Sequence, residues 1–167
     1  RARQNGVQYP REAVCAGVAF AALGDSERAW ELVDKINPVN HARSVDGVDI
    51  YKADPYGIAA DLYARSPHIG RAGWSWYTGS AGWTYRLILE SLLGLRREGE
   101  RLSLTPCLPA DWPEFKIPYR YRQATYHIVV TQMRGEGGLM GVTRGGLDGV
   151  EQGGKMIVLG GDQVADL

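Results

Sequence analysis

The stretch REAVCAGVAFAALGDSERAWELVDKI, residues 11–36, contains two helix patterns joined by a turn. Residues 11–23 are apolar on nearly every side of a helix, which predicts a helix that is buried over most of its surface. Gly24 is expected to end this helix and Asp25 to cap the next one. Residues 26–36 carry one apolar stripe, formed by Ala29, Leu32, Val33 and Ile36. The stretch therefore predicts a helical hairpin that ends at Asn37-Pro38.

Two further helices are predicted beyond this hairpin. Asp54 and Pro55 have the residue types of an N-cap and a first helical position, which predicts a helix over residues 55–65 after a polar loop. Another helix is predicted from Ser80 to about Leu95, with Trp83 on its buried face. Helices in this order are typical of an array of helical hairpins, and the apolar first helix is expected to need more neighbours than the chain supplies.

The hydrophobic period changes near residue 97. RLSLTPCLP at 101–109 and PYRYRQATYHIVVTQ at 118–132 alternate apolar and polar side chains, which predicts strands. Leu102 and Leu104 are expected on one face, as are Tyr126, Ile128 and Val130. KMIVLGG at 155–161 predicts a short strand between glycine-rich turns. The predicted fold class is α+β, with a helical domain at residues 1–97 and an antiparallel β-sheet domain at 98–167.

Composition argues against several classes of function. The 167 residues include 19 Lys and Arg and 19 Asp and Glu, so no excess of one charge is available to bind nucleic acid or an anionic membrane. No apolar run approaches the roughly 18 residues of a transmembrane helix. Two cysteines and three histidines without paired spacing predict no metal site, and no cofactor is expected.

The stretch GWSWYTGSAGW, residues 73–83, combines aromatic side chains with a Thr-Gly-Ser turn. Thr78, Gly79 and Ser80 lie where the last predicted helix begins, and backbone N–H groups and the helix dipole favour an anion there. Two interpretations stay open: a phosphate site, or an ordinary turn with Ser80 as the N-cap. Trp74 and Trp76 lie in the preceding loop and could stack on sugar rings, with core packing as the alternative.

None of the carboxylates stands out as a catalytic acid. Asp25 and Asp54 have the positions of helix caps, while Asp61, Glu31 and Glu90 fall within helical patterns. There they are expected to be solvated or paired, so a glycosyl-transfer acid is not evident.

Two longer segments carry a family resemblance: PHIGRAGWSWYTGSAGWTYR at 67–86 and LSLTPCLPADWPEFKIPYRYRQATYHIVV at 102–130. They resemble the C-terminal part of the inverting glycoside phosphorylases, glycoside hydrolase family ninety-four. Together with NPVNHARS at 37–44 and YKADPYGIAADLY at 51–63, the first segment is most similar to the phosphorylase-like domain of bacterial cyclic β-1,2-glucan synthases. The resemblance covers about residues 4–131.

The resemblance implies a fold and a context. Residues 1–97 would be the last helices of an (α/α)6 barrel, residues 98–167 a C-terminal β domain, and the chain a fragment of a longer enzyme. The implied partners are a β-glucan oligosaccharide with β-1,2 linkages, inorganic phosphate as co-substrate, and the remainder of the parent chain. The implied location is the cytoplasmic side, as a domain of an inner-membrane synthase. Apolar helix faces left exposed predict that the isolated chain forms a homo-oligomer.

The resemblance also implies which residues take part in the reaction. In such enzymes phosphate attacks the anomeric carbon with inversion while an aspartic acid protonates the glycosidic oxygen. That aspartate would lie upstream of Arg1, so this chain is expected to hold no catalytic residue and to be inactive alone. Thr78 and Gly79 match the family's phosphate-binding Thr-Gly pair.

Two positions depart from the family pattern. Arg11 stands where the family has a phosphate-binding histidine, and Ala60 where disaccharide phosphorylases have a substrate-binding glutamine. Arg11 keeps a cation that could bind phosphate, but it also favours an alternative, a non-catalytic carbohydrate-binding or structural module on the same scaffold. A hydrolase on this barrel would need a second carboxylate as base, and none is evident.

Overall fold

The computed structural model describes residues 6–76, 78–134, 140–142, 145–147, 150–152 and 156–158, with side chains described for residues 6–76 and 78–132. The chain divides into two units, Arg1–Leu92 and Leu93–Leu167. The boundary that the sequence predicted, between residues 97 and 98, falls inside a strand of the second unit.

The first unit is helical and contains one pair of short antiparallel strands, Val7–Gln8 (β1) and Leu62–Tyr63 (β2). Its helices are Pro10–Ala22 (α1), Ser26–Ile36 (α2), Pro38–His41 (α3), Val45–Tyr51 (α4) and Thr78–Arg86 (α5). A π-helical turn, Leu87–Leu92, continues α5.

The helical hairpin of α1 and α2 confirms the prediction from residues 11–36. The Asp25 carboxylate accepts a hydrogen bond from the Arg28 backbone N–H at 3.1 Å, so Asp25 caps α2 as expected. A buried cluster joins α1, α2 and the π-helical turn: Ala13, Val14, Ala29, Val33, Ile36, Leu87 and Leu92. A Cβ at Gly17 would lie 3.1 Å from Leu87 Cδ2, so the glycine lets α1 approach the π-helical turn closely.

The helix predicted over residues 55–65 is wrong. This segment consists of turns and extended chain that includes β2. The Asp54 carboxylate does not cap a helix, because it accepts a hydrogen bond from the Ser75 hydroxyl. The regular element lies earlier, in the predicted polar loop, where Ser44 caps α4 by accepting a hydrogen bond from the Gly47 backbone N–H at 3.1 Å.

The last predicted helix differs from the prediction in its ends and in its buried face. Helix α5 begins at Thr78, two residues before Ser80, and Leu95 belongs to a strand. Trp83 was expected in the core but is 42% exposed, and the Arg86 guanidinium lies over its ring at 5.3 Å from the centroid. The buried apolar side chains of this segment are instead Leu87 and Leu92.

The second unit consists of antiparallel strands. They are Leu95–Glu98 (β3), Arg101–Leu104 (β4), Glu114–Tyr121 (β5), Ala124–Arg134 (β6), Met140–Val142 (β7), Gly145–Leu147 (β8), Val150–Gln152 (β9) and Met156–Val158 (β10). The sheet orders are β10-β4-β3, β5-β6-β7 and β8-β9. The mixture of helices and antiparallel strands confirms the predicted α+β class.

The predicted strand faces are confirmed. One buried cluster of this unit is formed by Leu95, Leu102, Leu104, Tyr126, Ile128 and Val130. The alternation over residues 118–132 belongs to two strands, because β5 and β6 form a hairpin whose turn includes Arg122 at φ 54°. The strand predicted within 155–161 is β10. Among the glycine clusters predicted as turns, Gly145-Gly146 lies in β8, so the turn predicted there is wrong. The clusters at 135–138, 153–154 and 160–161 lie outside the described residues.

Within the part of the chain that the structure describes, no helix has both the length and the apolar character needed to cross a membrane.

Candidate functional site

The loop that carries Trp74 and Trp76 is held by backbone pairing with residues 60–63. The N–H of Ala60 donates to the carbonyl of Trp74 at 2.8 Å, and the N–H of Gly73 donates to the carbonyl of Asp61 at 2.9 Å. Leu62 and Ala72 form an antiparallel bridge beside these two hydrogen bonds. The N–H of Tyr63 also donates to the carbonyl of Arg71 at 2.8 Å. This pairing fixes the path of the chain as it enters α5.

Gly73 is required by a buried carboxylate. Asp61 is 0% exposed, and a Cβ at position 73 would lie 1.6 Å from its Oδ1 atom. Asp61 was expected to be solvated or paired on a helix, and its helical placement was wrong because residues 60–63 are extended chain. Any side chain at position 73 would displace either Asp61 or the tryptophan loop.

A second contact holds the same loop from the other side. The Ser75 hydroxyl donates to the Asp54 carboxylate, and a Cβ at Gly57 would lie 3.4 Å from the Cβ of Ser75. Trp76 has φ 65°, a left-handed backbone conformation that a bulky side chain seldom adopts. Such a conformation persists where the surrounding contacts enforce it, and it is frequent at ligand sites.

A pocket of about 180 Å³ opens beside this loop, and its lining residues are Tyr56, Gly57, Ile58, Trp76, Thr78 and Ala81. The rings of Tyr56 and Trp76 meet edge to face, with centroids 6.3 Å apart and planes at 77°. Tyr56 is 73% exposed and Trp76 is 74% exposed. The pocket therefore joins two accessible aromatic rings to the start of α5.

Thr78 and Gly79 form the first turn of α5, and both are exposed. The first N–H groups of a helix have no partner within the helix, and the dipole makes that end positive. Ser80 was considered as an N-cap, which is wrong because the helix begins before it. Its side chain is buried, and its hydroxyl makes no hydrogen bond among the described residues.

The other predicted site residues do not line the pocket. Arg11 is exposed in the first turn of α1, and α1 packs against α5. Trp74 is 49% exposed in the loop. Neither of these residues, nor Gly79, is among the lining residues, whereas Trp76 and Thr78 both are. Core packing, the alternative for the two tryptophans, does not agree with their exposure.

Tyr51 anchors the loop from α4. Its carbonyl accepts a hydrogen bond from the N–H of Ala72 at 2.9 Å, and its ring stacks on His41 with centroids 5.1 Å apart. Burial raises the pKa of the Tyr51 phenol above its usual value of 10.0, and the nearby Asp54 carboxylate raises it further. Asp54 therefore contacts the tryptophan loop through Ser75. Its negative charge also acts on the Tyr51 phenol of α4.

Tyr56 is a pocket residue that the sequence interpretation missed. The segment Asp54-Pro55-Tyr56-Gly57 was assigned to a helix start, but Pro and Gly two residues apart also favour a turn. A turn that presents an exposed tyrosine is a signal for a binding residue, and it could have been recognised before the structure.

No group of three or more His, Cys, Asp or Glu side chains among the described residues could hold a metal ion. The site instead offers aromatic rings, a hydroxyl and backbone N–H groups. These are the groups that bind sugars and oxyanions.

Comparison with protein families assigns both parts of the chain. Residues 2–94 match the model described as the glycosyl hydrolase 94 superfamily, catalytic domain. Residues 95–134 match the model of the glycosyl hydrolase family 65, C-terminal domain. The chain belongs to the glycosyl hydrolase 94 superfamily, as the sequence motifs indicated.

Several characterised proteins are similar to this chain. It is 42% identical over 130 residues to the cyclic beta-(1,2)-glucan synthase NdvB of Rhizobium meliloti (strain 1021), an alignment that covers 78% of the chain and 5% of the relative. It is 35% identical over 134 residues to the N,N'-diacetylchitobiose phosphorylase of Vibrio furnissii, covering 80% of the chain and 16% of the relative. The 1,2-beta-oligoglucan phosphorylase of Listeria innocua is 27% identical over 123 residues, covering 65% of the chain and 11% of that protein. The chain thus spans a small part of each relative.

Proposed function

We propose that this chain supplies the phosphate-binding and sugar-binding part of a glycoside phosphorylase-type domain that acts on β-glucan, with β-1,2 linkages, by inversion. The observation that carries the proposal is the pocket shared by Trp76 and Thr78. An exposed aromatic ring suits the apolar face of a pyranose, and the start of a helix suits phosphate. Two relatives named as phosphorylases support this reaction class, and the names of the cyclic beta-(1,2)-glucan synthase and the 1,2-beta-oligoglucan phosphorylase support the linkage.

Each site residue has a proposed role. Thr78 offers its hydroxyl and Gly79 its backbone N–H to phosphate, and Gly79 lets the anion approach the backbone. Arg11 supplies a cation that can bind phosphate through two hydrogen bonds. Trp74 and Trp76 hold the sugar.

The proposal assigns the general acid to a part of the enzyme outside these 167 residues. Phosphate would attack the anomeric carbon as this acid protonates the glycosidic oxygen, releasing α-glucose 1-phosphate. Residues 1–97 would then be the last helices of an (α/α)6 barrel and residues 98–167 its C-terminal β domain. The chain alone would bind ligands without turning them over.

The test uses a protein of the relatives' length that contains this chain. We expect α-glucose 1-phosphate to be released from β-1,2-glucan only when phosphate is present. Thr78→Val keeps the shape of the side chain and removes its hydroxyl, so the KM for phosphate should rise about tenfold while the KM for glucan stays unchanged. Thr125→Val, on an exposed position of β6, is the matched control and should change neither.

One residue favours a second candidate, a non-catalytic carbohydrate-binding or structural module on the same scaffold. Arg11 is longer than histidine, and its guanidinium could itself occupy the anion site. If wild type releases no α-glucose 1-phosphate in the presence of phosphate, and Arg11→His does not restore release, the phosphorylase proposal fails and the module remains. Arg43→His, at another exposed arginine, controls for the general effect of the exchange.

A further inference from the structure

Tyr56 stands opposite Trp76 in the pocket and has no role in the function proposed above. The two rings form a right-angled arrangement, at 77° and 6.3 Å between centroids, which we call the aromatic corner. Both rings are about three-quarters exposed, so most of the surface of each ring is accessible to a ligand. Ile58 and Ala81 add apolar surface beside the corner, and Thr78 adds a hydroxyl.

The aromatic corner is built into the fold. The hydrogen bond from Ser75 to Asp54 joins the two segments that carry the rings, since Asp54 lies two residues before Tyr56 and Ser75 lies just before Trp76. Gly57 lies against both segments, because its Cβ would be 3.7 Å from the Cβ of Asp54 and 4.0 Å from the backbone N of Trp76. The left-handed backbone of Trp76 then sets the direction of its ring. These contacts fix the two backbone segments that carry the rings relative to each other.

The pocket has room for one ring. Its volume is about 180 Å³, and protein cavities of about 150 Å³ admit one benzene molecule. A saturated six-membered ring is the matching occupant, because its apolar face can stack on one aromatic ring while its edge contacts the other.

We propose that the aromatic corner receives one glucopyranose ring of the β-glucan, and that Tyr56 is the specificity-determining residue. This inference rests on the proposed function, whose sugar-binding residues were Trp74 and Trp76. In β-glucose every ring substituent is equatorial, so both faces are flat and one can lie on an aromatic ring. In galactose the axial hydroxyl at carbon 4 projects from one face, so only the opposite face can lie flat on an aromatic ring.

The experiment measures binding of a β-1,2-linked glucose trisaccharide to the 167-residue chain by tryptophan fluorescence. Tyr56→Ala should weaken binding by about threefold to tenfold, whereas Tyr56→Phe, which keeps the ring, should bind like wild type. Tyr85→Ala is the matched control, since Tyr85 is 66% exposed on α5 and does not line the pocket. A β-linked galactose trisaccharide should bind wild type more weakly than the glucose probe, and Tyr56→Ala should narrow that difference.

Thermal unfolding separates a binding role from a structural one, because loss of an exposed ring should leave the melting temperature of Tyr56→Ala unchanged. The inference is overturned if Tyr56→Ala binds the glucose trisaccharide as tightly as wild type. It is also overturned if wild type shows no binding, or no preference for glucose over galactose.

Failure of this inference differs from failure of the proposed function. If the chain shows the expected pattern of trisaccharide binding while the longer protein releases no α-glucose 1-phosphate, the aromatic corner stands and phosphorolysis fails. If release occurs and Tyr56→Ala leaves the KM for glucan unchanged, phosphorolysis stands and the aromatic corner fails.

Discussion

Gly73→Ala tests how the tryptophan loop is positioned. The new Cβ would lie 1.6 Å from Asp61 Oδ1 and 2.7 Å from its Cγ, whereas ordinary contacts begin at 3.4 Å. Asp61 is fully buried and cannot swing into solvent. The backbone around residues 60–63 and 71–74 must therefore shift, and the hydrogen bond from the Gly73 N–H to the Asp61 carbonyl is strained with it.

The expected cost is about 2 kcal/mol or more, the range of overpacked interiors. For a unit of 92 residues a loss of that size lowers the melting temperature by roughly 10 °C. Trp74 and Trp76 follow directly in the chain, so binding of a β-1,2-linked glucose trisaccharide should weaken as well. Differential scanning calorimetry and fluorescence titration measure the two effects.

Gly82→Ala is the matched control. Gly82 lies inside α5, and a Cβ there would meet no atom within 4 Å. Alanine is a better helix former than glycine, so this variant should gain about 0.5–1 kcal/mol. Exchange of glycine for alanine is thus expected to lower the free energy of unfolding at position 73 and to raise it at position 82.

A double variant assigns the cost of Gly73→Ala to its cause. Asp61→Ala removes the carboxylate that the new Cβ would meet, so Gly73→Ala should cost much less in that background than in wild type. If Gly73→Ala is as stable as wild type, or costs the same with and without Asp61, the account of the loop is refuted.

Three further predictions concern the remainder of the first unit. Leu87→Ala should cost about 3 kcal/mol in urea unfolding, since Leu87 is fully buried against α1; a cost below about 1 kcal/mol would contradict this packing. Because burial raises the pKa of Tyr51 above 10.0, the folded state keeps a proton that the unfolded state loses at high pH. Stability should hold below pH 10.0 and fall as pH rises further, and Tyr51→Phe should remove that component of the fall; an identical pH dependence would refute it. Val45 and Val48, three residues apart on α4, are 79% and 49% exposed and give that helix an exposed apolar face. Sedimentation velocity should therefore show self-association at high concentration, and a single monomeric boundary would argue against it.

The sequence predicted correctly those elements in which the local sequence pattern and the tertiary packing favour the same conformation. Helix α2 has a capping Asp25, an amphipathic stripe and a terminating Asn37-Pro38, and the structure gives it the predicted bounds, Ser26–Ile36. The strand face of Tyr126, Ile128 and Val130 follows from simple alternation. In both cases the local pattern and the buried surface require the same conformation.

The sequence-based prediction failed where a residue expected to cap a helix instead contacts a residue far away in the sequence. Asp54 and Pro55 form a credible helix start, but the Asp54 carboxylate is 21 residues away in sequence from its partner, Ser75. No local pattern reveals that pairing, nor the burial of Asp61 against Gly73. Tyr56 was missed because its segment was assigned to a helix start; the turn signal of Pro55 and Gly57 was present in the sequence, but the contact with Trp76 was not. The family motif, in contrast, pointed to Thr78, and the aromatic composition of the loop pointed to Trp76, without the geometry that joins them.

The most direct test of the central claim is a crystal structure of the chain soaked with phosphate and a β-1,2-linked glucose trisaccharide. The account predicts phosphate oxygens about 3 Å from the Gly79 N–H and the Thr78 hydroxyl, within hydrogen-bond distance, with a glucose ring against Trp76. An Arg11 side chain lying in the anion position, or a sugar bound elsewhere with no anion at the start of α5, would contradict it.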